Sequence, residues 1–268
     1  MSNVFEGKVV IVTGASAGIG KALCLELAPQ KPRLVLAARD EARLREVAEA
    51  CRARGAQALV VPTDVTSSID CERLIATAAF EMGGIDALVN NAGAGMFSPF
   101  EEVRDLSIYE RLMRVNYLSC VHLTWHALPH LKKSGGRIVV VSSLAGLTGV
   151  PTRSGYAASK HAVFGFFDSL RIELHGSGVS VTTIAPDFVV SEIHERSFSA
   201  AGTPVGRATI DQSKAMSAEE CARIIVDAMA RRRRNAFTSF RGRFGRFLKL
   251  VAPSVIDAIA LRAIRKGR

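Results

Sequence analysis

The feature that most constrains this chain is a regular alternation. Short, apolar, β-branched runs take turns with longer segments of helical period. KVVIVTG (8–14) reads as a strand closed by glycine, and GIGKALCLELAP (18–29) as a helix stopped at Pro29. Strand-like runs follow at 33–39, 56–62, 85–90, 136–143, 179–186 and 235–239. Helical patterns fill 41–54, 67–83, 105–128, 155–175 and 218–231. Gly55 is placed to end the first of these, and Ser217 with Glu220 resembles a capping box opening the last. The strands are continuously apolar rather than alternating, which predicts a parallel sheet covered on both faces: an α/β doubly wound fold of about seven strands. No 20–50-residue repeat and no dividing linker is visible. The span 187–216 lacks a periodic pattern and is expected to be a lid or substrate loop.

Five cysteines (Cys24, Cys51, Cys71, Cys120, Cys221) are odd in number and never form a C-x-x-C pair. That argues against a disulfide framework or zinc site and suits a reducing compartment. The opening MSNVFEGKVV shows no basic region followed by an apolar leader, and no apolar run reaches the ~18 residues of a membrane span. A cytoplasmic protein is expected. The net charge of +10 is concentrated at one end. Of 35 basic and 25 acidic residues, 12 and one fall between Arg231 and Arg268, leaving 23 against 24 elsewhere. The asymmetry concerns surface and partners rather than fold.

Two short stretches carry candidate chemistry. TGASAGIG (13–20) sets Gly14, Gly18 and Gly20 between a strand and a helix, with Ser16 and Ile19 in the same turn. Glycine permits close backbone approach to a pyrophosphate, and a helix N-terminus offers free N–H groups and a positive dipole. The spacing is G-x-x-x-G-x-G rather than G-x-G-x-x-G, and a tight turn without ligand is the plain alternative. SGYAASKHAV (154–163) puts Tyr156 and Lys160 one helical turn apart. An ammonium beside a phenol favours the phenolate, although such a pair is also ordinary helix surface. His122, His126 and His130 share a helix face, but no carboxylate lies among them and Pro129 disturbs the helix end. Packing or an oligomer face is expected there, and no metal.

TGxxxGxG, then NNAG (90–93), then Ser143, Tyr156 and Lys160, in this order and with 13 residues from serine to tyrosine, resemble the short-chain dehydrogenase/reductase family over residues 6–240. The resemblance implies a single Rossmann-type catalytic domain (1–240), hydride transfer between a carbinol and a carbonyl, and NAD(H) or NADP(H). It makes Tyr156 the general acid or base; a free phenol titrates near ~10, and Lys160 with the nicotinamide charge would bring it toward working pH. Lys160 would also bond the nicotinamide ribose, and Ser143 would donate to the substrate oxygen. Asn116, in RVNYLS, matches the asparagine that holds a water in the proton relay. Asn91, Ala92 and Gly93 would line the cofactor, and the Asp64-Val65 pair would flank the adenine, with Asp64 as a simple turn residue the competing reading. One motif departs: after the sixth strand the family's Pro-Gly is Pro186-Asp187, with Val189 following and Ser191 at the place of a threonine.

An acid closing the second strand would bond a ribose 2′-OH. LAARD (36–40) places Ala38 there, then Arg39, whose guanidinium suits a 2′-phosphate. NADP(H) is favoured over NAD(H); Asp40 acting one residue late is the alternative. Met96, Phe97, Leu144 and Phe188 are expected to wall an apolar pocket, pointing to a hydrophobic ketone or alcohol of steroid, lipid or aromatic type. The alternatives are a 3-oxoacyl-carrier-protein reductase and a non-enzymatic cofactor-sensing scaffold. Beyond the catalytic domain, Phe240, Phe244, Phe247 and Val251 form one helical stripe among Arg241, Arg243, Arg246 and Lys249, and an apolar helix at 254–265 follows. This basic amphipathic extension (241–268) would either touch a membrane surface or pack on the body. No nucleic-acid partner is expected, and the resemblance implies a homodimer or homotetramer.

Overall fold

The computed structural model describes residues 3–207 and 215–267. Among them, seven strands form one parallel sheet: β1 (Val9–Thr13), β2 (Arg33–Ala38), β3 (Gln57–Pro62), β4 (Ala87–Asn90), β5 (Arg137–Val141), β6 (Ser180–Ala185) and β7 (Asn235–Phe237). Their order is β3-β2-β1-β4-β5-β6-β7, so the winding reverses between β1 and β4. β1 is held in register by both neighbours, with Ile11 opposite Val35 on one side and Leu88 on the other.

Strict alternation in β1 feeds two cores. Val10 and Val12 pack on one face, against α1 (Gly18–Leu27), α2 (Glu41–Arg52) and α7 (Ala218–Ala230). Val9 and Ile11 pack on the other, against α3 (Ser68–Met82), α5 (Ser119–Ser134) and α6 (Ser154–Glu173). With both faces covered, most strand positions are apolar, which produces the apolar runs of the sequence; the buried Thr182 and Thr183 of β6 are exceptions. The caps follow local chemistry: Asp40, Ser67 and Ser217 accept from the amides of Arg43, Asp70 and Glu220.

The helix expected over 105–128 differs in two ways. It opens as α4 (Ser107–Met113), widens into a π-helical segment at Arg114–Leu118, and continues as α5 to Ser134. Pro129 does not end it. The buried Leu131 anchors the turn beyond the proline, and Gly135, at φ 58°, makes the left-handed C-cap where the helix stops. The span 187–216 is also more ordered than its sequence suggests, although residues 208–214 lie outside the described residues. Phe198 exchanges backbone bonds with Gly95 and Phe97, and Val190 with Met216 joins the two ends of the span.

The basic extension forms α8 (Phe240–Val251) and α9 (Pro253–Gly267). Among the described residues no helix is long and apolar enough to cross a membrane.

Candidate active site

The site gathers at the carboxyl ends of β1, β4 and β5, beside the point where the winding reverses, which is where open α/β sheets hold ligands. Thr13 ends β1, and its hydroxyl accepts from the amides of both Asn91 (2.9 Å) and Ala92 (3.0 Å) while donating to Val89 O. Asn91 returns a bond from Nδ2 to Thr13 O at 2.8 Å. The first turn and the NNAG turn are thereby fastened together. Sequence reasoning assigned no role to Thr13; its position at a strand end, just before the glycine turn, was the available signal.

Between them lies a cradle that only glycine can form. A Cβ on Gly20 would sit 2.2 Å from Gly14 O and 2.7 Å from Asn91 Nδ2. Gly14 and Gly18 have φ of +67° and +52°, in the left-handed region. The N-cap of α1 is Ala17, which has no capping side chain, and the first intrahelical bond belongs to Lys21 N. The amides of Gly18, Ile19 and Gly20 therefore have no acceptor among the described residues, with Ser16 half-buried in the turn beside them. Free N–H groups at a positive helix end fit a pyrophosphate. Ser191 closes over this turn: a Cβ on Gly18 would meet its Cβ at 3.2 Å. The segment bearing Ser191 is pinned to α2 by Glu192, which accepts from Arg43 at 2.9 and 3.2 Å.

At the end of β2, Arg39 is exposed and Ala38 half-buried. Asp40 is occupied, capping α2 and pairing with Arg43 at 3.5 Å. Asp64 closes its own turn, with Oδ1 accepting from the amide and hydroxyl of Thr66. Burial raises its carboxyl, but those bonds, aided by the Arg39 charge, hold it below its usual range. Val65 is buried next to it.

The catalytic candidates share α6 and its neighbours. Lys160 is 4% exposed, and its Nζ donates to Val141 O at 3.0 Å. The same atom lies 5.8 Å from the Tyr156 ring centroid and 3.6 Å from where a Cβ of Gly93 would be. Asn116 sits inside the π-helical segment, a distortion that recurs at functional sites. Its side chain binds both polar groups of the Ala94 peptide and donates to Ser159 Oγ at 2.9 Å. Ser159 in turn donates to Tyr156 O at 2.7 Å. The Asn116 side chain is thus engaged in fixing the turn after β4 to α6. Ser143 Oγ accepts from Ala145 N at 3.2 Å, capping the short helical turn Leu144–Gly146 and leaving its hydroxyl proton to point elsewhere.

The expected pocket wall divides. Phe97, Leu144 and Phe188 keep some exposure. Met96 is 1% exposed, because its bridge to Phe198 seals it into a small cluster with Ile108, Leu112 and Tyr156. It lies behind the wall rather than on its surface. Arg153 was not among the predicted site residues. Its guanidinium lies 5.7 Å from the centroids of both the Phe97 and Phe188 rings. Burial lowers its pKa, and the nearby Tyr156 pulls the other way.

The departure at Asp187 has a structural explanation. Its φ is not positive, so the backbone here does not require glycine. Its amide donates to Thr238 Oγ1 at 2.9 Å, and its carboxylate accepts from Phe188 N and from Ser239 Oγ at 2.8 Å. Pro186 and Val189 on either side are buried. Asp187 fastens the end of β6 to the residues that lead into α8.

A doubly wound sheet with free helix-end amides in the turn at its switch point, and a tyrosine and a lysine on a helix beside the neighbouring strand ends, defines a class of nucleotide-dependent enzymes. The sequence pattern of the short chain dehydrogenases matches residues 8–202, and the chain belongs to that family: it is an oxidoreductase acting on hydroxyl and carbonyl groups. It is 38% identical over 261 residues to 11-beta-hydroxysteroid dehydrogenase A of Sesamum indicum, covering 94% of this chain and 74% of that protein. A short-chain dehydrogenase/reductase of Burkholderia phymatum, solved in complex with NAD, superposes with a TM-score of 0.83 at 27% identity, covering 94% and 95% of the two chains. An alcohol dehydrogenase of the archaeon Thermococcus sibiricus, complexed with 5-hydroxy-NADP, gives 0.72 at 26% identity, covering 86% and 94%.

Proposed function

We propose that this protein is an NADP(H)-dependent dehydrogenase/reductase of hydrophobic, steroid-like ketones and alcohols, with Tyr156 as its proton donor and acceptor. The observation that carries the reading is the buried Lys160 ammonium beside the Tyr156 ring. A charge is kept out of water only where it is paired or used, and the one bond Lys160 makes to the described residues leaves two of its three donors for groups brought into the site.

The amides of Gly18, Ile19 and Gly20 would hold the cofactor's pyrophosphate, and Arg39 its 2′-phosphate. Asp40, committed to Arg43 and to its helix cap, is poorly placed to receive a ribose hydroxyl. The bound nicotinamide supplies or accepts the hydride. Ser143 orients the substrate oxygen through its hydroxyl proton, and Tyr156 delivers a proton to that oxygen or takes it away. Lys160 stands opposite the charge that develops on the phenol. Asn116 and Ser159 are positioning residues, holding the NNAG turn and the tyrosine's helix in mutual register. The mostly apolar wall of Phe97, Leu144 and Phe188 supports a hydrophobic substrate, as does the hydroxysteroid dehydrogenase name of the sesame relative.

The test is NADPH and NADH oxidation with a panel of steroid and aromatic ketones and of 3-oxoacyl thioesters. Turnover of apolar ketones with NADPH is expected. Turnover restricted to thioesters would assign the protein to fatty-acyl chemistry, and the absence of turnover with any carbonyl would remove the enzymatic reading.

A further inference from the structure

We infer that the α8–α9 hairpin is a docking surface for an anionic lipid bilayer, lying on the membrane with the substrate cleft at the interface. Bonds at its root and near the end of α8 tie the hairpin to the body. Ser239 at its root donates to Asp187, and Lys249 Nζ donates to Leu147 O at 2.7 Å. Both acceptors belong to loops beside the substrate wall, the first next to Phe188 and the second in the segment that follows Leu144. Within the hairpin, α8 and α9 pack on each other, with Ile256 and Ala260 half-buried.

Several large apolar side chains of the hairpin stand open to solvent. Phe247 is 60% and Leu250 78% exposed, with Val251, Val255 and Ile259 also exposed. Large side chains rarely stand in water so close together without something to cover them. The charge pattern selects the cover. Residues 241–268 carry eight Lys and Arg and a single acid, Asp257. A second copy of this chain would set this strongly basic extension against another of the same charge. Nucleic acid would neutralise the cations and leave the phenyl and isopropyl groups unburied. An anionic bilayer satisfies both, taking apolar side chains below the headgroups and cations among them. Neither helix is apolar enough to span, so the hairpin lies on the surface.

The test is cosedimentation of the full chain with vesicles of phosphatidylcholine, alone or mixed with phosphatidylserine. Wild-type protein is expected to pellet with the mixed vesicles and to be released by salt. Phe247→Glu/Leu250→Glu should lose roughly tenfold or more in partitioning, while turnover of a water-soluble ketone and the melting temperature stay at the wild-type level. Arg262→Glu/Lys266→Glu, which leaves the apolar face intact, should lose about tenfold on mixed vesicles alone. The inference is overturned if wild-type protein stays in the supernatant with both vesicles, or if the Phe247/Leu250 variant pellets as well as wild type. It is also overturned if that variant abolishes a concentration-dependent self-association while vesicles capture nothing, which would assign the face to a second copy.

Discussion

Asn116 and Ala94 form a closed pair: Oδ1 accepts from the Ala94 amide at 2.8 Å and Nδ2 donates to the Ala94 carbonyl at 3.0 Å. A side-chain amide here does what a neighbouring strand would do, beyond the point where β4 has ended. Asn116→Ala would leave that peptide and Ser159 Oγ short of partners. A loss of about 2–4 kcal/mol in stability is expected, since each part-buried polar group left unpaired costs ~1–3 kcal/mol. Because the same bonds set Tyr156 relative to the NNAG turn, kcat should fall by about a hundredfold, the scale of an ångström's misplacement. Denaturant melts and steady-state kinetics check the two effects separately.

Gly20→Ala places a methyl 2.2 Å from Gly14 O, a backbone atom that cannot swing aside. The turn must open, and its free amides lose their common focus. Cofactor binding, followed by the fluorescence of NADPH, should weaken by at least about tenfold, equivalent to ~1.4 kcal/mol. Gly149→Ala, at a glycine whose Cβ meets nothing within 4 Å, should leave binding at the wild-type level.

Arg39→Ala tests the cofactor choice. A charge-assisted hydrogen bond to phosphate is worth about 1.5–3 kcal/mol, so KM for NADPH should rise roughly ten- to a hundredfold. KM for NADH should hardly move. Equal effects on both cofactors would show that Arg39 does not read the 2′-phosphate.

His194 supplies a pH dependence. Burial first, and the Arg153 charge second, hold its imidazole below the usual range, against the opposing bond to Val189 O. In the unfolded chain it titrates near ~6.5. Above that pH both states are neutral, and the group contributes no slope. As pH falls below ~6.5, the unfolded chain takes up a proton that the folded one declines, so stability falls with it. Urea midpoints should therefore decline below about pH 6.5, and His194→Gln should flatten that decline. An unchanged slope in the variant would contradict this.

The sheet was legible in the sequence because strands buried on both faces admit little but Val, Ile, Leu and Ala, as VVIVT and RIVVV show. The glycine turn and the Tyr156–Lys160 pair were legible because steric demand and helical spacing leave few substitutes. The fastenings were not. Thr13 and Ser159 act through single hydroxyls that reach partners 76 to 79 and 43 residues away, respectively, besides the local bond of Ser159 to Tyr156, and a small hydroxyl carries no period. Pro129 misled for a related reason: a local stop signal was outweighed by the tertiary burial of Leu131. Met96 looked like a pocket residue because nothing in its neighbourhood announced that Phe198, 102 residues on, would cover it. The stripe through Phe244, Phe247 and Val251 was readable as a stripe, but only the structure shows that it faces outward.

The central claim is that Tyr156 moves the proton, and Tyr156→Phe tests it by removing one oxygen while keeping the ring that packs near Met96 and Lys160. The measurement is kcat for NADPH-dependent reduction of a steroid ketone, taken with NADPH affinity on the same samples. The account predicts a fall of about 10²–10⁴ in kcat with cofactor affinity within about twofold of wild type. A variant that retains wild-type kcat would contradict it.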